Sequence, residues 1–182
     1  MSAPPSDPRP LIGEPLSLDL LNTRWIADGV HRDLLTDVEG LAVWLTSNGL
    51  AGQFRADGQT LEHVLQARDA LASVVDSPGD AAGAARVNEV LGHGLIRATL
   101  GPEGPGEEPE FTDAGWGAAW MAARDYLTLL ATAPDRIRPC AHEACVLHFF
   151  DTSRNGTRRW CSMAACGNRA KASRHYARSR EN

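Results

Sequence analysis

Hydrophobic residues between positions 16 and 130 recur mostly at intervals of three and four, which is the spacing of an amphipathic α-helix. The first such run extends from Leu16 to Trp25, with apolar residues at Leu16, Leu20, Leu21 and Trp25, and Asn22 and Thr23 lie near its end. Both of these residues are poor helix formers and are typical of a helix end. The run therefore predicts a short first helix.

Four further segments of helical spacing follow, and residues typical of helix boundaries separate them. Thr36 and Glu39 form a capping box before the first of these segments. The next covers residues 61–75, and an alanine-rich one begins after Asp80. The longest segment begins after Thr112, whose hydroxyl is expected to cap it.

A β-prone run at residues 95–100 interrupts the helical pattern. Residues 101–106 are rich in glycine and proline and are expected to form a flexible acidic loop. A short partner strand is predicted near Glu110 and Phe111. The fold class expected for residues 11–133 is therefore mainly α, with a small β-hairpin.

The sequence contains four cysteines, and all of them lie in its last quarter. They form two C-x4-C pairs that fifteen residues separate, namely Cys140 with Cys145 and Cys161 with Cys166. Two such pairs suit one tetrahedral Zn²⁺, with Zn–S distances of about 2.3 Å. Four protein ligands leave no position for water, so we predict one structural zinc ion per chain.

Two disulfides are the alternative for these cysteines, and they are typical of small secreted domains. The sequence does not open with the charged and apolar segments of a secretory signal, and it lacks the C-x-x-C motif of redox proteins. It also has no run of about 18 apolar residues that would span a membrane. We therefore expect a cytoplasmic protein with zinc-bound thiolates.

The residues around the cysteines predict the local fold of residues 138–180. Residues 146–150 and 157–160 are β-prone, and the Asn-Gly pair between them is a strong hairpin signal. Residues 167–178 are polar and compatible with a helix. A knuckle, a β-hairpin and a helix in this order predict a treble-clef-like zinc finger.

The sequence Cys-Gly-Asn-Arg at residues 166–169 resembles the signature of the CGNR zinc-finger proteins. That family joins a C-terminal zinc finger to an N-terminal domain called ABATE. The sequence Leu-Asp-Leu-Leu-Asn-Thr at residues 18–23 is similar to the start of that domain. Members are regarded as stress-induced transcriptional regulators, so the resemblance implies a DNA-binding finger and a helical domain that senses a ligand or a stress state.

The charge of the chain is unevenly divided. Residues 1–138 hold ten arginines and twenty acidic residues, a net charge of −10, whereas residues 139–182 carry +5. A basic module on an acidic body is the asymmetry expected when one part of a protein meets a polyanion. The alternative is a charged helix that is simply solvated.

Double-stranded DNA is the partner that we expect for the basic module. Lys171, Arg174 and Arg178 fall on one face of the predicted helix, which fits the major groove. The predicted nucleic-acid contacts are Arg158, Arg159, Arg169, Lys171, Arg174 and Arg178. The acidic body must then face away from the DNA or lie across a homodimer. A finger that binds RNA or protein is the alternative function.

Candidate chemistry outside the finger is sparse. No H-E-x-x-H, G-x-S-x-G or paired-carboxylate motif is present, so we expect no enzyme. Trp116 and Trp120, four residues apart on the last predicted helix, either line a small-molecule pocket or belong to the core. Asn22 likewise either ends the first helix or faces such a pocket. The ligand-binding residues that we predict are Asn22, Trp116 and Trp120.

Overall fold

The computed structural model describes residues 6–168, in which five α-helices and three two-stranded antiparallel sheets are present. The helices are α1 (Leu16–Leu21), α2 (Val38–Ser47), α3 (Gly58–Asp76), α4 (Ala81–Leu91) and α5 (Gly117–Thr132). The strands are β1 (Arg24–Ala27), β2 (Val30–Asp33), β3 (Gly94–Gly101), β4 (Gly104–Phe111), β5 (Ile137–Pro139) and β6 (His148–Phe150). The structure is mainly helical, as predicted.

Helix α3 is the central element of the helical body, and it packs against α1, α2, α4 and α5. Its buried apolar residues follow the predicted spacing and include Val64, Ala67, Leu71 and Val74. Burial of a valine or leucine side chain contributes about 1.5–3 kcal/mol. The amphipathic pattern of the sequence therefore selects the face of α3 on which the other helices assemble.

Aspartate side chains cap several of the helices. Asp80 caps α4, whose start after Asp80 was predicted, and Asp57 accepts a 2.9 Å bond from the Thr60 backbone N–H at the start of α3. The cap predicted at Thr36 is wrong by one residue, because the carboxylate of Asp37 accepts the Gly40 N–H at 2.9 Å and α2 begins after it.

The cap predicted at Thr112 is also wrong. Asp113 accepts the Gly115 N–H at 2.7 Å and caps a 3₁₀ turn, Ala114–Trp116, from which α5 continues. The Thr112 hydroxyl instead lies 3.3 Å from the backbone oxygen of His93. It therefore joins the start of the last helical segment to the start of β3.

The sheets of the body depart from the prediction in two places. Strands β1 and β2 form a hairpin that was not predicted, with Asp28 and Gly29 at its turn and φ values of 52° and 74°. Positive φ at both turn residues is the geometry that Asp-Gly pairs favour. In the second sheet the predicted flexible loop at 101–106 is wrong, because β4 already begins at Gly104 and pairs with β3 along its whole length.

The hairpin predicted within the finger is wrong as well. Strand β6 pairs with β5 rather than with residues 157–160. The buried carboxylate of Asp151 accepts the backbone N–H groups of Ser153 and Arg158, both at 2.9 Å, and closes the loop in place of a strand ladder. The part of the predicted C-terminal helix that begins at residue 169 lies outside the described residues.

The finger and the helical body share one hydrophobic core. Strand β6 lies against α1. Leu147, Phe149 and three of the cysteines are buried in the same cluster as the helices of the body. The elements that carry the cysteines are therefore held by the body as well as by one another.

Candidate metal centre

The tip of the β5–β6 hairpin carries the first cysteine pair. The backbone N–H of Cys140 donates a 2.8 Å bond to the Leu147 oxygen, which extends the pairing of the two strands by one step. The N–H of Cys145 donates a 2.9 Å bond to the His142 oxygen, so the chain turns tightly between the two cysteines. Both thiols consequently face the same side of the tip.

The second cysteine pair is held next to the first by backbone contacts. The Ala141 N–H donates to the Arg159 oxygen at 2.8 Å, which draws the segment before Cys161 beside the tip of the hairpin. The Cys161 N–H then points at the Cys140 sulfur, 3.4 Å away. Cys166 follows on a π-helical turn, Met163–Gly167.

Gly167 leaves room on this turn for the Met163 side chain. A Cβ atom at this position would lie 2.6 Å from the Met163 sulfur and 3.4 Å from the Trp160 ring. The second distance is an ordinary contact, and the Met163 side chain is 52% exposed and can move aside. Glycine at this position therefore allows Met163 to pack over the turn that carries Cys166.

The four sulfur atoms lie within 4.8 Å of one another. The Cys145–Cys161 and Cys161–Cys166 sulfur distances are 3.8 Å and 3.6 Å. Zn–S bonds of about 2.3 Å place the sulfurs of a tetrahedral site about 3.8 Å apart, whereas a disulfide needs about 2.05 Å. All four cysteines are free thiols. The prediction of one Zn²⁺ is confirmed, and both of these sulfur separations are too long for a disulfide.

The surroundings of the thiols indicate a closed structural site. Cys140, Cys161 and Cys166 are buried, and Cys145 is half-buried. Hydrogen bonds from the Cys145 and Cys161 thiols lower the pKa of Cys140, whereas sharing a proton with Cys140 raises the pKa of Cys145 to about 12. Without a metal ion, the cluster therefore favours the thiolate form of Cys140 and the protonated form of Cys145. Bound Zn²⁺ supplies the positive charge that stabilises all four thiolates.

Asn22 connects this finger to the helical body. Its side-chain amide donates to the His148 oxygen and accepts from the His148 N–H, both at 2.8 Å, and the residue is 1% exposed. Close by, the Glu14 carboxylate accepts the Phe150 N–H at 2.8 Å. Asn22 lies at the C-terminal end of α1, as predicted, and its predicted role in ligand binding stays a prediction.

Asp19, in the same segment of sequence, is a buried contact that sequence reasoning missed. One oxygen of its carboxylate accepts from Arg9, Trp44 and Asn48 at 2.7, 3.0 and 2.9 Å. Asp19 thus holds the N-terminal residues and α2 against α1. The available signal was an acidic residue inside an otherwise apolar run, which is unusual unless the residue is paired.

Thr23, the third buried polar residue of this segment, bonds with Arg68. Its hydroxyl accepts from the Arg68 guanidinium at 2.9 Å, and Arg68 also donates to both carboxylate oxygens of Asp33 at 2.7 and 2.9 Å. Arg68 is 2% exposed, so this pair joins α3 to the end of β2 inside the protein. Segment 18–23 therefore organises the body and also anchors the finger.

The predicted nucleic-acid contacts fall into three groups. The Arg158 guanidinium donates to the backbone oxygens of Trp160 and Cys161 and lies over the Phe149 ring, 4.3 Å from its centroid. Arg159 is exposed, and its guanidinium lies 5.2 Å from the Trp160 ring centroid. Arg169, Lys171, Arg174 and Arg178 lie outside the described residues.

The two tryptophans of the last helical segment have different surroundings. Trp120 is 4% exposed, donates to the Leu91 oxygen at 3.0 Å and packs edge-on against Phe111, as expected of a core residue. Trp116 is half-buried and lines a cavity between α3 and α4. Of the three predicted ligand-binding residues, Trp116 is the one that the structure places at this cavity.

The hydropathy of the helices bears on membrane association. In residues 6–168, each helix is too short or too polar to cross a lipid bilayer.

Two family models match the chain. The ABATE model, described as "Putative stress-induced transcription regulator", matches residues 14–133, and the model of the CGNR zinc finger matches residues 136–179. Neither description is that of an enzyme. Comparison with curated proteins gives no match. The ABATE match covers well over half of the 182 residues. The chain therefore belongs to the ABATE family and carries a CGNR zinc finger after its ABATE domain.

Proposed function

We propose that this protein is a transcription regulator that binds double-stranded DNA through its zinc finger and senses a ligand or a stress state through its helical domain. The division of charge carries the DNA-binding part of the proposal. The finger half, residues 139–182, has a net charge of +5 beside a body of −10. Phosphate neutralisation by arginine and lysine dominates the affinity of such proteins for DNA.

The described part of the finger supports this proposal at Arg159. The Arg159 side chain is exposed, and the neighbouring Arg158 fixes the backbone that follows it by donating to the oxygens of Trp160 and Cys161. A phosphate contact by Arg158 would compete with these internal bonds. We therefore assign phosphate binding to Arg159 and a positioning role to Arg158.

The remaining contacts rest on the sequence. In the treble-clef-like arrangement that we propose, a helix after Cys166 presents Lys171, Arg174 and Arg178 to the major groove. Zinc would hold the start of this helix through Cys166. The acidic body would face away from the DNA or belong to the other copy of a homodimer.

The salt dependence of binding tests the proposal. Four phosphate contacts, by Arg159, Lys171, Arg174 and Arg178, predict a slope of log affinity against log salt of about −3.6, since each contributes about −0.9. Replacing Arg174 and Arg178 together by alanine should reduce the magnitude of this slope by about 2. The measurement is fluorescence anisotropy of a labelled DNA duplex, with the zinc content of both proteins determined in parallel.

A double variant in the acidic body provides the matched control. Arg32 and Arg55 are exposed, and replacing both by alanine removes the same charge without touching the finger. An unchanged slope in the Arg174/Arg178 variant would exclude its helix as the DNA surface. Absence of duplex binding even at low salt would replace this proposal by the alternative, a finger that binds RNA or protein, for which labelled RNA in the same assay is the first probe.

A further inference from the structure

A cavity of about 520 Å³ lies between α3 and α4, outside the metal centre. Ala70 on α3 and Val90 on α4 are buried and form apolar parts of its wall. Its volume falls within the range of about 300–1,000 Å³ that is typical of small-molecule sites. The cavity is therefore large enough for a metabolite of moderate size.

One end of the cavity is aromatic. The Trp116 ring stacks on His63 with centroids 3.8 Å apart and on His93 with centroids 3.7 Å apart, at interplanar angles of 10° and 3°. Two near-parallel rings at these distances cannot share one face of the indole, so the histidines lie on opposite faces. His63 comes from α3 and His93 follows α4, which fixes the orientation of Trp116. Because both indole faces are covered, a flat ring in the cavity meets His93 and the edge of Trp116, both of which line it.

Charged groups line the cavity along α4. Arg86 and Glu89 are exposed to it, and neither forms an ion pair within residues 6–168. The third charged residue, Asp69, is already paired with Arg24 at 3.2 Å. A cation and an anion that face a cavity without protein partners are available to a ligand that carries both charges.

The spacing of these groups sets the dimensions of the ligand. Arg86, Glu89 and His93 are three and four residues apart, so they follow one face of the helix and its continuation. At a rise of about 1.5 Å per residue, Glu89 precedes His93 by about 6 Å along the axis of α4, and Arg86 precedes it by about 10 Å. A ligand along α4 therefore meets a cation, then an anion and then an aromatic surface.

We propose that this cavity binds a free aromatic α-amino acid. Its carboxylate would pair with Arg86, its ammonium group with Glu89, and its ring would pack against His93 and Trp116. Arginine binds a carboxylate through two parallel N–H bonds, and a planar ring gains most from a preformed aromatic surface. The inference rests on the sensing role proposed above for the helical domain, and it supplies the chemical class of the ligand.

Isothermal titration calorimetry of the full-length, zinc-loaded protein with four probes tests the inference. The probes are L-tryptophan, indole-3-acetate, tryptamine and indole, which carry both charges, the anion alone, the cation alone and neither. L-tryptophan should bind most tightly, and loss of either charge should weaken binding about fivefold, the upper range for an exposed ion pair. Equal affinity for indole and L-tryptophan, or no binding of L-tryptophan, would overturn the inference.

Two exposed variants assign the charges separately. Arg86→Gln should weaken L-tryptophan and indole-3-acetate but leave tryptamine unchanged, and Glu89→Gln should weaken L-tryptophan and tryptamine but leave indole-3-acetate unchanged. Identical effects of both variants on all probes would contradict the assignment. DNA affinity is measured without any probe. A protein that binds DNA but not L-tryptophan refutes this inference alone, whereas the reverse result refutes the DNA-binding proposal.

Discussion

At the scale of single residues, three buried polar side chains in segment 18–23 each serve a different neighbour. Asp19 bonds with Arg9 and α2, Thr23 bonds with Arg68, and Asn22 bonds with the backbone of His148. A buried polar group destabilises a fold unless it is hydrogen-bonded, so each of these residues depends on its partner being in place. The segment thereby joins elements that are distant in sequence.

Replacing Asn22 by alanine is expected to destabilise the protein by about 2–4 kcal/mol. The change leaves the N–H and the oxygen of His148 without their partner, and each such group costs about 1–3 kcal/mol. Urea unfolding measures the difference. Asn88→Ala is the matched control, because Asn88 is exposed on α4 and its loss should change the free energy of unfolding by no more than about 0.5 kcal/mol. Equal effects of the two variants would show that the Asn22 contacts contribute nothing.

The sequence indicates that Asn22 is a special position but does not identify its partner. Asn22 and Thr23 interrupt a helical pattern, and α1 does end at this point, but the predicted run continued to Trp25, which lies in β1. The bond to His148 spans 126 residues, and the local pattern contains no trace of it. Partners at this separation are set by how the elements pack, which a single sequence does not reveal.

At the scale of elements, the helices were predicted well because their signals are local. Asp80 and the spacing of the buried residues are sufficient to place α4 and α3. The strands were predicted less well, because pairing depends on which segment is nearby. The Asn-Gly turn does bend the chain, with Gly156 at a φ of 62°, yet its flanks do not pair because the Asp151 carboxylate bonds their backbone.

The metal centre is the element-scale feature that was predicted most completely, because four cysteines in two close pairs admit few arrangements. Purified protein is expected to contain one zinc ion per chain, and Cys166→Ala should lower that ratio well below one. The energy of binding the ligands is also the energy that folds a finger, so the variant should lose the packing of residues 161–167 against the β5–β6 hairpin, while the body still holds β6. Elemental analysis and circular dichroism measure the two effects.

Met163→Ala is the control for this experiment. Met163 lies on the same π-helical turn as Cys166 but is 52% exposed and carries no ligand atom, so this variant should retain its zinc. Stoichiometric zinc in the Cys166 variant would contradict the four-thiolate site. Two disulfides in the mass spectrum of the parent protein would exclude it altogether.

At the scale of the whole molecule, the sequence predicts a body at residues 11–133 and a finger at 138–180, whereas the structure packs the described parts of both into one hydrophobic core. Phe149 and Leu147 are apolar residues of the finger segment, and the sequence gives no reason to assign them to any core but that of the finger itself. Their burial beside α1 follows from the position of β6, which Asn22 and Glu14 fix from the body. Zinc binding at the finger is therefore expected to stabilise the helical body as well.

A chain that ends at Pro134 is expected to be less stable than the full protein by at least about 3 kcal/mol. The truncation removes Phe149 and Leu147 from the core, each worth about 1.5–3 kcal/mol, and leaves Asn22 and Glu14 without their finger partners. A chain that ends at Asn168 is the matched control, since it keeps every contact between the finger and the body that the structure describes.

Thermal unfolding followed by near-ultraviolet circular dichroism should give one cooperative transition for the control and a broader one at lower temperature for the shorter chain. A zinc chelator should lower the transition of the control toward that of the shorter chain, because it removes the same support from α1. If both chains unfold at the same temperature and the chelator has no effect, the body is stable by itself and the finger is an independent unit.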